Sequence, residues 1–170
     1  MRKVTLFVAL SVLLTPAMFA QSATSAANPN NVSATVANNC RVDTFNLAFG
    51  PYDPVAVNLT LDLPATTTVN VFCTKGGTFT SLTLSNGLNP LVGTRQMAFG
   101  AERLAYDIYL DAIHTIRWTS GVGNQKTPSS ASTSKNTAMD GGYTAFGLVP
   151  AGQDVAAGNY FDTVTATVNF

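Results

Sequence analysis

Thr163-Val164-Thr165-Ala166-Thr167-Val168-Asn169-Phe170 closes the chain, and its reading decides the fold. Val164, Ala166, Val168 and Phe170 fall on one side of a two-residue repeat. Thr163, Thr165, Thr167 and Asn169 fall on the other. β-Branched residues in such alternation describe a strand with one apolar face. The same signature recurs upstream at short intervals. Val55, Val57, Leu59, Leu61 and Leu63 alternate with Ala56, Asn58, Thr60 and Asp62. Val69, Val71 and Cys73 form another row, and Phe79 to Leu84 follows the turn Lys75-Gly76-Gly77. Leu104, Tyr106, Ile108 and Leu110 make a longer one. Ile116 and Trp118 resume after a connection, and Thr144, Phe146 and Leu148 end at Pro150. No segment carries an apolar 3.6-residue repeat long enough for a core helix. Many short strands between turns predict an all-β, immunoglobulin-like antiparallel sandwich. The Ser-, Thr- and Gly-rich stretch from Thr119 to Gly142 lies outside this pattern and reads as a mobile connection.

Composition narrows the function. The 170 residues are 46% hydrophobic and 11% charged, enough for one domain with a buried core. Nine basic residues balance nine acidic ones, and two of the basic ones, Arg2 and Lys3, lie in a segment expected to be removed. Nucleic acid as a partner needs clustered Lys and Arg, and is excluded on this balance. His114 is the sole histidine, and no Ser or Cys nucleophile motif accompanies it. It reads as an exposed turn residue. Asp107, Asp111 and Asp154 match no calcium loop. No catalytic residue, metal site or cofactor is expected.

The N-terminus reads as an export signal. Met1-Arg2-Lys3 is followed by an apolar stretch from Val4 to Leu14, then Pro16 and the small residues Ala17 and Ala20. The stretch is too short to span a bilayer. Residues 1–20 form the expected signal peptide, cut after Ala20, with Ala26 or Ala27 as alternatives. Cys40 and Cys73 are the only cysteines, and in an oxidising compartment they are expected to pair. Residues 21–39 comprise a flexible, polar leader and a strand-like row, Val32, Ala34 and Val36, alternating with Ser33 and Thr35. The leader, 21–31, can reach about 35 Å when extended.

The last strand and this detached row belong together. A sandwich ending at Val164–Phe170 with no strand beside it keeps an open edge and an uncovered core groove. A strand donated by another chain is the remedy.

Tyr160-Phe161-Asp162-Thr163-Val164 through Val168-Asn169-Phe170 resembles the C-terminal signature of the spore coat protein U domain family, which includes subunits of archaic, Csu-type chaperone–usher pili. Asn39-Cys40, Phe49-Gly50 with Tyr52-Asp53, and Cys73-Thr74-Lys75-Gly76 fit as well. So do Leu104-Ala105-Tyr106-Asp107-Ile108-Tyr109 with Asp111-Ala112 and Trp118, and Gly147-Leu148-Val149-Pro150-Ala151-Gly152-Gln153. These pieces are in family order over 40–170, the expected pilin domain; the stretch at 127–142 departs from the pattern. The resemblance implies export through the periplasm to an extracellular fimbrium serving surface adhesion and biofilm formation. A periplasmic chaperone would lend a strand to the incomplete sandwich. An outer-membrane usher would then exchange it for the N-terminal segment of a neighbouring pilus subunit. Val32, Ala34 and Val36 would be the donor residues; Val164, Ala166, Val168 and Phe170 would edge the acceptor groove. Two alternatives stay open: a spore or cell-surface coat protein using the same domain, and a secreted carbohydrate-binding module using Tyr106, Tyr109 and Trp118.

Overall fold

The computed structural model describes residues 27–170. The expected signal peptide, 1–20, and the start of the leader lie outside the described residues. Eight strands follow one another: β1 (Cys40–Val42), β2 (Leu63–Val69), β3 (Val71–Cys73), β4 (Ser81–Leu84), β5 (Arg95–Phe99), β6 (Glu102–Tyr109), β7 (Tyr143–Val149) and β8 (Ala166–Asn169). Every ladder is antiparallel. One sheet has the order β2-β7-β6-β5, and the other layer is made of two separate pairs, β1-β3 and β4-β8. The fold is all-β, an incomplete immunoglobulin-like sandwich.

Alternation puts one row of each strand inside. Val69, Leu104, Tyr106, Ile108, Ala145 and Val149 come from the four-stranded sheet and cluster with Val71, Cys73, Leu82 and Leu84 from the two pairs. Trp118 is wholly buried among them and donates Nε1–H to Leu82 O at 2.9 Å. The Val69, Val71, Cys73 row is buried throughout, but it changes sheets at Asn70. Val69 pairs with Tyr143, whereas Val71 pairs with Val42. β2 carries Pro64 within it, which is tolerated because β2 is an edge strand.

Several expectations are corrected. Val55 to Leu61 is no strand: Val55, Val57, Leu59 and Leu61 are all exposed. Local side chains capture the backbone there instead. Asp53 Oδ1 accepts from the N–H groups of Val55 and Ala56. The buried Asn58 accepts from Asp53 N and donates to Leu61 O, which wraps 57–59 into a single 3-10 turn. In β7 the buried row is Tyr143, Ala145, Gly147 and Val149, one residue out of phase with the expected Thr144, Phe146 and Leu148. Residues 27–35, which hold part of the expected donor row, have no regular structure, and Val32 is 96% exposed. β1 and β5 lie outside the expected strands.

The connection from 119 to 142 is docked, not mobile. Lys126 exchanges both main-chain hydrogen bonds with Leu82, Ser132 N–H donates to Gly77 O, and Ser132 Oγ donates to Cys73 O. Met139 is buried. Asp140 accepts from Ser129 Oγ and N and from Tyr143 OH; the Ser129 hydroxyl leads in holding its carboxyl below the usual range.

Cys40 and Cys73 face each other in the β1-β3 register and form a disulfide. With a sequence separation of 33 residues, the chain-entropy model gives about 3.5–4 kcal/mol. Replacing both cysteines by Ala is expected to lower unfolding stability by about that much, measured by urea denaturation. A double variant as stable as the parent would show that the loop is already constrained in the unfolded chain.

Candidate functional site

After Val42 the chain leaves its ladder. Asp43 N–H still reaches Asn70 O, but residues 44–52 make no main-chain hydrogen bond with the described residues. Yet they are not a solvated loop. Phe45, Leu47, Phe49 and Tyr52 alternate with exposed neighbours and pack partly buried against the core. Gly147 on β7 makes this possible, because a Cβ there would come within 2.7 Å of Leu47 Cδ2 and 2.8 Å of Phe49 Cζ. Phe49 meets Tyr106 edge to face at 5.7 Å between centroids. Tyr52 OH donates to Pro150 O and accepts from Gln153 N–H. This stretch carries a two-residue side-chain repeat but has no main-chain partner among the described residues.

A second wall runs opposite. Main-chain groups of 154–160 make a single hydrogen bond with the described residues, Ala156 O accepting from Tyr160 OH. Phe161 exchanges two hydrogen bonds with Ala98, and Thr165 pairs with Ser85, so this wall is tied to β5 and β4 on one side only. Asp162 anchors it to the floor, accepting from Tyr106 OH at 2.7 Å and from Leu88 N–H at 2.8 Å. Burial and this bond raise the Tyr106 phenol well above its ordinary value, so it stays a proton donor.

Between the walls lies a groove. Two hollows of about 850 and 320 Å³ share Asn46, Leu47, Phe49, Met97, Tyr160 and Phe161 and so form one trough. Leu104, Tyr106 and Ile108 of β6 line its floor, with Leu63 and Val149 at the wider end. Phe161 stands 72% exposed on the rim. Val164 lines the narrower hollow; β8 continues from it, with Ala166 and Val168 half-buried and Phe170 exposed. Apolar walls with unpaired N–H and C=O groups are chemically suited to one kind of occupant, an extended peptide.

The other candidates stay apart from this groove. His114 sits in the 111–115 turn at φ 55°, its ring edge-on to Tyr109. Asp111 is occupied by Thr115 and Ile116, and Asp107 by arginines. No group of three or more metal-ligating side chains occurs among the described residues. Tyr106 and Trp118, two of the three aromatics of the carbohydrate-binding alternative, are buried, and Tyr109 is half-buried. Sequence reasoning missed the first wall, although Phe45, Leu47 and Phe49 carry the same two-residue repeat used elsewhere.

The fold is an incomplete sandwich with a trough between two walls, and the family comparison places it. Residues 26–167 match the Spore Coat Protein U domain, and the chain belongs to that family. It is similar to Protein U of Myxococcus xanthus, 36% identical over 167 residues, covering 89% of this chain and 88% of that protein. Its fold is similar to a chain in the crystal structure of the CsuC–CsuE chaperone–tip adhesion subunit pre-assembly complex from archaic chaperone-usher Csu pili of Acinetobacter baumannii. That match has a TM-score of 0.51 and 24% identity. It covers 80% of this chain and 40% of the other, so this chain spans less than half of that one's length.

Proposed function

We propose that this chain is an exported structural subunit of a chaperone–usher fibre, assembled by strand donation into the groove described above. The observation carrying this reading is the pair of walls, 44–52 and 154–160, whose main-chain groups find no main-chain partner among the described residues, flanking the floor of β6. An inserted strand would supply both missing ladders at once. The donor is the row Val32, Ala34 and Val36 of a neighbouring copy or related subunit; Val164, Ala166, Val168 and Phe170 edge the acceptor. Burying two valines and one alanine contributes on the order of 4 kcal/mol from apolar contact, and main-chain pairing adds to it. Before assembly a periplasmic chaperone fills the groove with a strand of its own, and an outer-membrane usher carries out the exchange. The similarity to a Csu pre-assembly complex, in which a chaperone is bound to a tip adhesion subunit, supports this order of events. The product is an extracellular fimbrium with a role in surface adhesion and biofilm formation, and the role is structural, not catalytic.

The similarity to Protein U favours a second reading, a surface coat built from the same domain. Immunogold electron microscopy of cells carrying an epitope on this chain separates the two. Label along thin surface fibres is expected, together with a ladder of multimers in sheared material. Label confined to a continuous surface layer would replace the fibre with the coat.

A further inference from the structure

Residues 37–39 are fastened in a way that the groove alone does not require. Ahead of β1, Asn39 O accepts from Thr74 N–H at 2.9 Å, extending the β1-β3 ladder by one residue. Thr74 Oγ1 lies 3.2 Å from Ala37 O and 3.3 Å from Asn39 O and shares its proton between them. Asn38 Nδ2 donates to Thr78 O at 2.8 Å. Its Oδ1 occupies the space that a Cβ on residue 77 would fill, and residue 77 is glycine.

We propose that Asn38, Thr74 and Gly77 form a latch that keeps the donor row out of its own groove and reserves it for a second copy of the chain. This inference rests on the strand-donation reading. Register decides it. A donor folding back on its own wall must turn ahead of residue 40. With 37–39 held, the latest two-residue turn uses residues 35 and 36. Val32 then falls opposite Asn39, short of the groove. With 37–39 released, a turn at 38 and 39 places Ala34 opposite Asp43 and Val32 opposite Phe45, at the start of the unpaired wall. The latch therefore shifts the apolar row by about six residues, some 20 Å along the strand. Without it, entry of Val32 at the start of its own groove would win on mass action. A short tether holds its segment at a millimolar effective concentration, whereas free copies compete at micromolar levels.

The test uses the mature full chain with a photo-crosslinking residue, p-benzoylphenylalanine, at position 32, irradiated at micromolar concentration. Cross-linked peptides are located by mass spectrometry as within-chain or between chains. The parent is expected to give a between-chain ladder. Asn38→Ala combined with Thr74→Val is expected to raise the within-chain product about tenfold or more. A second variant keeps the latch and lengthens the tether by about six residues between Val36 and Ala37, enough to form the returning turn, and should do the same. Its folding is independent of the latch contacts. A parent that already cross-links mainly within the chain, or within-chain yields unchanged in both variants beside an intact ladder, would overturn the latch while leaving strand donation standing. A probe that reaches no groove residue, within or between copies, would overturn both.

Discussion

Ala34→Asp is expected to abolish fibre assembly, while Thr35→Asp leaves it intact. Successive side chains of a strand point to opposite faces, so the two positions present the same new carboxylate to opposite environments. In the strand-donation reading, residue 34 enters the trough, whose lining includes Leu104, Tyr106 and Ile108. An unpaired charge placed there costs several kcal/mol, as much as the whole apolar contribution of the donor row. At 35 it faces water. Chaperone binding should survive both changes, because in this reading the chaperone fills the groove and leaves residues 27–36 free. Fibre yield after shearing and blotting, with chaperone pull-down in parallel, measures the pair. Equal assembly for both variants would mean that the segment is only a tether.

That contrast is legible in the residues alone, and the reason is physical. A two-residue repeat survives wherever one face meets an apolar layer and the other meets water. This holds for the last strand, where Val164, Ala166 and Val168 are half-buried between exposed threonines. It misleads where a polar side chain takes over the backbone. Val55 to Leu61 has the best alternation in the chain, yet Asp53 and the buried Asn58 satisfy its amides and carbonyls locally and leave its apolar residues outside. Asn and Asp at turn-forming positions compete with a strand for the backbone and here override the repeat.

The opposite failure hides β5. Its inward row begins with Arg95, which is 0% exposed, so a charged residue stands where the repeat demands an apolar one. The loop at 119–142 illustrates a third limit. Its composition is that of a solvated connection, but Ser132 and Lys126 are held through hydrogen bonds to backbone groups far away in sequence, which composition cannot encode. Likewise, Cys40 with Cys73 could be paired by counting, whereas the groove needed two walls that are about a hundred residues apart.

Arg95 also supports the second large expected effect. Asp107→Ala should cost about 3–5 kcal/mol, the usual result of removing one partner of a buried ion pair. Arg95 Nη1 donates to Asp107 Oδ1 at 2.6 Å. Arg117 Nε lies 2.5 Å from Oδ2 in a contact that is ionic, not a directed hydrogen bond. Burial pulls the Arg95 guanidinium below its ordinary value, and Asp107 opposes that shift; without Asp107 the charge has no counterion. Removing both charges should not restore stability here, unlike a simple buried pair. Arg95 also donates to Ser85 O at 2.8 Å and to Trp118 O at 2.7 Å, and an apolar replacement leaves both carbonyls unmet. Ser85 is in turn the residue that pairs with Thr165, just ahead of β8. The arginine thus joins β5 and β6 to the strand edging the groove. Urea denaturation of Asp107→Ala, Arg95→Met and Arg95→Met/Asp107→Leu provides the check. Each is expected to be destabilised, with the double variant no better than Arg95→Met. A double variant as stable as the parent would mean that the carbonyl bonds contribute nothing, and that the groove edge is held by packing alone.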